Sequence, residues 1–260
     1  VHISTESGWF PLNATDQPKD LDDLTGDASV LKTPDCWENY EEQTVCKLFA
    51  IPSNCPESLR VFNSFISSFK KKGETVTEFS VQRVQNLALW QSYAVKRQTI
   101  CCREKGNTDV LNDAKIQKKA IDEYERRWLW HGTDKAVADK IVHQGFNRSF
   151  NRSFRDGKAT TLYGMGVYFA RDAIYSAGDK YATPDSQDFR YIIAARVAVG
   201  KCCKGKREYL TPPTRNGLSF DSTVGLRQDD TIKNPSIYVI YHDAQAFPEY
   251  LIKFKCRKQG

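Results

Sequence analysis

The residues best placed to do chemistry in this 260-residue chain lie in its second half. In order they are His131-Gly132-Thr133, the run GMGVYFA holding Gly164, Gly166 and Tyr168, the pair Tyr175-Ser176, and Tyr181. A His can donate or accept a hydrogen bond near neutral pH, and a Gly beside it lets a ligand approach the main chain because no Cβ intervenes. Each also has a plain structural role. A lone His at a strand end is commonly a packing residue, Tyr168 and Tyr181 read alone as core or rim aromatics, and Ser176 as an ordinary helix serine. Other chemistries are excluded more firmly. Gly164-Met165-Gly166 opens like a dinucleotide fingerprint, but Phe169 stands where the third Gly belongs and the run precedes a strand instead of following one, so nothing supplies the helix N-terminus a pyrophosphate needs. No P-loop, G-x-S-x-G or H-E-x-x-H occurs.

The elements that must position these residues follow from periodicity. Residues 1–32, rich in Asp, Thr, Pro and Gly without sustained periodicity, read as a leader or linker, with the fold starting near Pro34. Leu59, Phe62, Phe65, Ile66 and Phe69 recur at helical spacing over 57–72, and the KKKG run ending at Gly73 reads as basic last-turn residues and a stop. TVTEFSV alternates as a strand does, and Leu87, Trp90, Ala94 and Val95 line one face of a helix. A short helix is expected over 114–124, one from Asp134 to His143 with Asp134 as N-cap and Gly145 past its end, and another over 172–182. The runs RWLW, VYFA, RYIIAARVAV, IYVIY and YLIKF read as strands. Without regular β-α-β alternation, an α+β domain is favoured over a doubly wound sheet.

Composition narrows the setting. No stretch approaches the roughly 20 apolar residues of a membrane span, and no cationic leader precedes an apolar run. The first residue is Val1, which is consistent with a fragment of a longer protein. The eight cysteines include no C-x-x-C pair and no His at ligand spacing, which argues against zinc and for reduced thiols; three N-x-S/T sequons (Asn13, Asn147, Asn151) would matter only in a secretory compartment. The formal charge of +6 is spread over the chain, with local clusters at Lys70–Lys72 and at Lys201, Lys204, Lys206 and Arg207 where an anionic partner could sit.

Taken together, the strand-end HGT, GMGVYFA, Tyr175-Ser176, Tyr181 and IYVIY with Ile237 resemble the catalytic domain of the poly(ADP-ribose) polymerase-like, diphtheria-toxin-like ADP-ribosyltransferases. Within that family the chain is similar to the macrodomain-linked mono-ADP-ribosyltransferases, from TPDCW near Pro34 through RVQNLALWQSY and HQGFN to NPSIYVIYHDAQAFPEYLIKF. The resemblance implies an α+β fold over 33–260, with a split mixed or antiparallel sheet and flanking helices. It implies NAD as co-substrate, no metal, and an intracellular setting, cytoplasmic or nuclear. His131 is then expected to donate to a ribose hydroxyl and Gly132 to pair its backbone with the carboxamide. Tyr168 and Tyr181 would be the two walls of a nicotinamide slot and Ser176 would bond the carboxamide oxygen, with Thr133 and Tyr175 completing the binding set and Asn147 near the adenine side. The loop 148–163, extended by a doubled NRSF, is expected to lid the cleft, with Arg152, Arg155 and Lys158 facing the pyrophosphate.

Ile237 is the informative departure. Polymer-forming relatives carry Glu there, and with His131 and Tyr168 it completes the expected catalytic set. The implied reaction is transfer of one ADP-ribose to a protein acceptor, through Asp or Glu side chains and including the protein itself. A nucleic-acid end is the alternative acceptor, consistent with the basic balance, and an inactive interaction module the alternative class. The retention of His131, Tyr168, Ser176 and Tyr181 argues against the last.

Overall fold

The local sequence signals act where the chain has room to obey them. The computed structural model describes residues 2–5, 8–11, 32–37, 45–70, 73–105, 114–150, 154–155, 158–159 and 161–258. Helix α1, Pro56–Ser68, begins with Pro at its first position and Cys55 as N-cap, whose sulfur accepts from Ser58 N at 3.4 Å. Its buried stripe is Ser58, Val61 and Phe65, continued by Phe69, while Leu59 and Ile66 are exposed. The apolar face therefore lies about one position away from the expected one. The helix also stops before the lysines; Lys70 follows it, and Lys71 and Lys72 lie outside the described residues.

Helix α2, Leu87–Lys105, buries Trp90, Tyr93 and Ala94 but leaves Val95 exposed. Asn86 starts it: its Oδ1 accepts from Leu89 N at 3.2 Å, and its amide donates to Val142 and His143 carbonyls. This ties α2 to the end of α4, Lys135–Gln144. Asp134 caps α4 through Val137 N at 2.8 Å, and Gly145 ends it at φ 82°, as expected. Helix α3, Ala114–Tyr124, matches expectation. Helix α5 does not. It is one turn, Ala173–Ser176, because the amides of Tyr181 and Ala182 both donate to the Gly178 carbonyl and wind the following residues into tight turns.

Nine strands form one sheet. They are β1 (Lys47–Ile51), β2 (Glu74–Gln85), β3 (Glu125–Thr133), β4 (Val167–Ala170), β5 (Arg190–Ala198), β6 (Cys202–Lys204), β7 (Ser222–Gly225), β8 (Ile237–Ile240) and β9 (Ala246–Lys258). Their order is β6-β7-β8-β4-β3-β5-β9-β2-β1, antiparallel except for the parallel β6–β7 pair. The expected split is present as a seam: β3 and β4 share a single paired position, Trp130 with Ala170. One core, around Phe146, Phe169 and Ile193, lies under α4, and another, around Phe65, Trp130 and Phe254, lies under α1 and α5. Fully buried alternate residues on β5 and β9 feed both, which is why those strands read as near-continuous apolar runs. An ionic group around the buried carboxylates of Glu249 and Glu125 sews β3, β5 and β9 together, with Arg127 gripping Glu249 in two hydrogen bonds of 2.7 and 3.0 Å and Arg196 lying between Glu249 and Glu125.

Within 1–32, read as a leader, His2–Thr5 and Gly8–Pro11 pair as a small antiparallel hairpin, and 12–31 lie outside the described residues. All eight cysteines are free, and burial pushes the thiols of Cys101 and Cys203 up to about 11, so both stay protonated at neutral pH. Among the described residues no helix is long and apolar enough to cross a membrane, and no group of His, Cys, Asp or Glu is placed to hold a metal ion.

Candidate active site at the seam of the sheet

The pairing of Trp130 with Ala170 would set Gly132 opposite Tyr168, but the ladder does not continue there. The side chain of His131 takes over, its Nδ1 donating to the Tyr168 carbonyl at 2.8 Å. Phe146 and Phe169 hold the ring edge-on and tilted, with centroids 5.3 and 5.6 Å away. Because a carbonyl can only accept, this bond fixes the proton of the neutral ring on Nδ1 and leaves Nε2 as an acceptor. Burial lowers the His131 pKa below its ordinary 6.5, so the ring is neutral at pH 7. With the proton on Nδ1, a ribose hydroxyl facing Nε2 would have to donate to it, the reverse of the direction expected for His131.

The shift also makes a pH prediction. Above pH 6.5 the ring is neutral both folded and unfolded, and its contribution to stability is complete. As pH falls through 6.5 the unfolded ring takes a proton that the folded ring resists, so stability declines until the folded pKa is reached. Denaturant unfolding between pH 7.5 and 5.5 should show a shallower loss in His131→Gln than in the unaltered protein. Equal slopes would remove the buried neutral ring.

Gly132 is dictated by its neighbour. A Cβ there would stand 1.8 Å from the Ser176 carbonyl oxygen and 3.2 Å from the Tyr181 Cβ, so the strand end and α5 touch only because residue 132 has no side chain. The GMG glycines serve packing in the same way. A Cβ on Gly164, at φ 123°, would meet the Tyr241 hydroxyl, and one on Gly166 the Ile240 carbonyl, so this turn exists to lie against β8. Tyr168, the next residue but one, is anchored by its hydroxyl, which donates to the Gly164 carbonyl at 2.8 Å and accepts from Tyr163 N at 3.0 Å.

Ser176 is buried and its hydroxyl donates to the Trp130 carbonyl at 2.8 Å. Its one proton is therefore committed, and it meets a ligand as an acceptor unless that bond is given up. Ser176→Ala should weaken NAD binding by the worth of one neutral hydrogen bond, about 0.5 to 1.5 kcal/mol or roughly two- to twelvefold in Kd. Calorimetry decides, and an unchanged Kd would take the hydroxyl out of the site.

Tyr181 stacks on Tyr175, with ring centroids 5.2 Å apart, an interplanar angle of 29° and hydroxyls 3.0 Å apart, a contact that sequence reasoning did not foresee. Burial, reinforced by that hydroxyl contact, pushes the Tyr175 phenol up to about 12. Ile237 pairs with Ala170 across β8 and β4 and is 2 % exposed, in a cluster with Ala170, Val239 and Tyr241 against which Tyr163, Tyr168 and Tyr175 pack.

The fold thus brings together His131, Gly132, Tyr168, Tyr175, Ser176, Tyr181 and Ile237. Thr133 is buried at the end of β3, paired with Tyr191. Asn147 is exposed and spends its Oδ1 on Ser149 N at 2.8 Å, a local turn. The ends of loop 148–163 are tied, by Arg148 donating to the Tyr241 carbonyl and Asp243, and by Tyr163 at the site. Between them only the backbone pairing of Phe154–Arg155 with Lys158–Ala159 is described, so the expected lid contacts of Arg155 and Lys158 are not, and Arg152 lies outside the described residues. Sequence reasoning missed Asp230 and Arg227, which shape the rim beside Ile237. LRQDDTIKNPS has no periodicity to mark them, and its Asp-Asp and Asn-Pro pairs signal no more than a turn.

Comparison with known proteins points to one family. The poly(ADP-ribose) polymerase catalytic domain family matches residues 60–256. Among curated proteins the chain is similar to human protein mono-ADP-ribosyltransferase PARP14, 31% identical over 231 residues that cover 87% of this chain and 11% of that protein. It is 36% identical to human PARP12 over 177 residues, 67% of this chain and 21% of that protein. It is 27% identical to human PARP11 over 243 residues, 85% of this chain and 63% of that protein. The chain therefore spans only a small part of PARP14 and PARP12.

Proposed function

Because this chain belongs to the poly(ADP-ribose) polymerase catalytic domain family, we propose that it transfers a single ADP-ribose from NAD to acidic side chains of a protein, itself included. The observation that carries the reading is the seam, where His131 and Gly132 of β3, Tyr168 of β4, Ser176 of α5 and Tyr181 of the following turn converge on the place where two halves of the sheet part. Neutral His131 accepts from a ribose hydroxyl of NAD, Gly132 offers its main chain and Ser176 its oxygen to the carboxamide, and the tyrosine faces take the nicotinamide ring. Thr133 supports the strand end; Asn147 keeps an adenine-side role only if its local turn opens. The free thiols fit a reducing compartment inside the cell.

The reaction breaks the bond between ribose C1′ and the nicotinamide nitrogen and joins C1′ to an acceptor carboxylate oxygen. Nicotinamide leaves neutral with the bonding pair, and the carboxylate charge cancels the pyridinium charge, so no proton has to move. The protein's share is proximity: it holds donor and acceptor in line, which converts a bimolecular encounter into a unimolecular step. That chemistry asks for no base at position 237. The test is incubation with NAD labelled in the adenylate half, resolving label on protein, on oligonucleotide and in free ADP-ribose. Label on protein carboxylates is expected. Label confined to oligonucleotide or to free ADP-ribose would overturn the reading.

A further inference from the structure

We propose that Arg227 is the acceptor-side specificity residue, its guanidinium holding the carboxylate of an acidic protein side chain at the rim beside Ile237. The inference rests on the transferase reading above and deepens it.

Residues 226–236 connect β7 to β8, whose register sets Gly225 against Ile237 and Ile237 against Ala170. Asp230 organises this connection from within. Its carboxylate accepts from Arg227 N and Ser236 N at 2.8 Å each and from the Arg171 guanidinium at 3.3 Å. Arg171 also donates to the Asn234 carbonyl at 3.1 Å, and its backbone amide to the Ser236 carbonyl at 2.9 Å. Both ends of the loop are thus fixed to the rim of the site, and the backbone of Arg227 with them.

The side chain of Arg227 reaches back over Tyr175, guanidinium carbon 5.7 Å from the ring centroid, within the range of a cation–π contact. Tyr175 is the half-buried ring of the Tyr175–Tyr181 stack and packs against the cluster that holds Ile237. The two arginines of this rim differ in charge balance. Arg171 is neutralised by Asp172 at 2.8 Å and Asp230 at 3.3 Å. Arg227 is exposed, and among the described residues no carboxylate forms an ion pair with it. Among the described residues Arg227 is therefore a preordered cation of the rim without a carboxylate partner, and exposed Lys180, 5.5 Å from the Tyr181 ring centroid, is a second cation on the same ring stack.

A guanidinium suits a carboxylate because the acid has two oxygens, one to be held and one free to attack C1′. When the ester forms, the acceptor loses its charge and Arg227 loses its hold, so the product is released. A nucleic-acid end shares the anionic chemistry, but two cations held over one pair of stacked rings are not the row of cations that tracks a phosphate backbone.

The experiment uses a glutamate-containing acceptor peptide, a 5′-phosphorylated oligonucleotide and NAD with the unaltered protein, Arg227→Ala, Arg227→Gln and Arg227→Lys, measuring nicotinamide release, modified acceptor and free ADP-ribose together. For Arg227→Ala and Arg227→Gln, loss of one charge-assisted hydrogen bond at an exposed position should raise the peptide KM about five- to tenfold and lower the ratio of modified peptide to free ADP-ribose by a similar factor. Arg227→Lys should recover part of that loss, which a purely structural role would not give. A peptide KM unmoved in both neutral variants, with nicotinamide still released, would overturn this proposal alone. Arg227-dependent transfer to the oligonucleotide and none to the peptide would overturn the carboxylate assignment. If the unaltered protein releases no nicotinamide, the transferase reading and this proposal fall together.

Discussion

Gly132→Ala is expected to abolish measurable NAD binding at concentrations where the unaltered protein is saturated. The single added carbon would lie 1.8 Å from a backbone oxygen, that of Ser176. No rotamer change can relieve that clash, because the obstruction is main chain. Either β3 recedes from α5 or the turn Ala173–Ser176 is pushed off Trp130, and in both cases Ser176, Tyr181 and His131 lose their common geometry. Overpacking of this kind costs about 1 to 3 kcal/mol of stability, so the variant should still fold. Gly178→Ala is the control: two residues past α5, its added Cβ would find only the Tyr175 carbonyl at 3.8 Å, an ordinary contact. Calorimetric titration with NAD and urea unfolding of both variants give the answer, and full affinity in Gly132→Ala would mean that the strand end and α5 do not jointly form the binding surface.

The second large effect concerns the product. Growth of a chain makes a ribose hydroxyl the nucleophile, which is weak while protonated and needs a positioned base or strong acceptor. Ile237 provides neither, nor do its apolar neighbours Ala170 and Val239, while burial pushes the Tyr241 phenol up to about 12 and its hydroxyl is held by Thr223 and the Tyr163 carbonyl. The first transfer needs no such help because an acceptor carboxylate is already ionised near neutral pH. Intact mass spectrometry of automodified protein should therefore show discrete additions at separate sites, each released as one ADP-ribose; ribose-to-ribose linked chains from the unaltered sequence would contradict it. Ile237→Glu should not restore elongation, since it buries a carboxyl at a 2 % exposed position among apolar and aromatic groups. The expected result is a lower Tm, with about 3 kcal/mol or more of stability lost if the charge is retained.

What could be read from sequence alone divides along a physical line. Elements with self-contained signals were legible: Asp134 and Gly145 bracket α4, and the apolar runs at 190–198 and 246–258 announce interior strands. Features set by a distant partner were not. The face of α1 turns on Val61 instead of Leu59 because Trp130 and Phe254 lie on that side, a fact held nearly seventy or more residues away. Helix α5 ends after one turn for the sake of a carbonyl at Gly178, which a helical period cannot foresee. The same limit applies within the site. Which residues gather was readable from their order, but His131 as acceptor, Ser176 spent on Trp130, and the Tyr175–Tyr181 stack each depend on a hydrogen bond or ring contact that no spacing encodes.

The strand order carries a consequence for how the protein is made. β9, the last strand in sequence, lies between β5 and β2, and β2 is joined to the sheet only by β9 and the edge strand β1. Until residues 246–258 leave the ribosome, β5 has an open side and the antiparallel β1–β2 pair has nothing to dock on. A nascent chain halted anywhere before β9 thus displays unpaired, strongly apolar strand edges, the condition under which chains recruit chaperones or associate with one another. Closure pairs Arg257 with Thr75 and Phe254 with Phe79, contacts between residues far apart in sequence, whose loop-closure entropy makes folding slow. The window of vulnerability during synthesis therefore closes only with β9, although none of the candidate site residues lies on that strand.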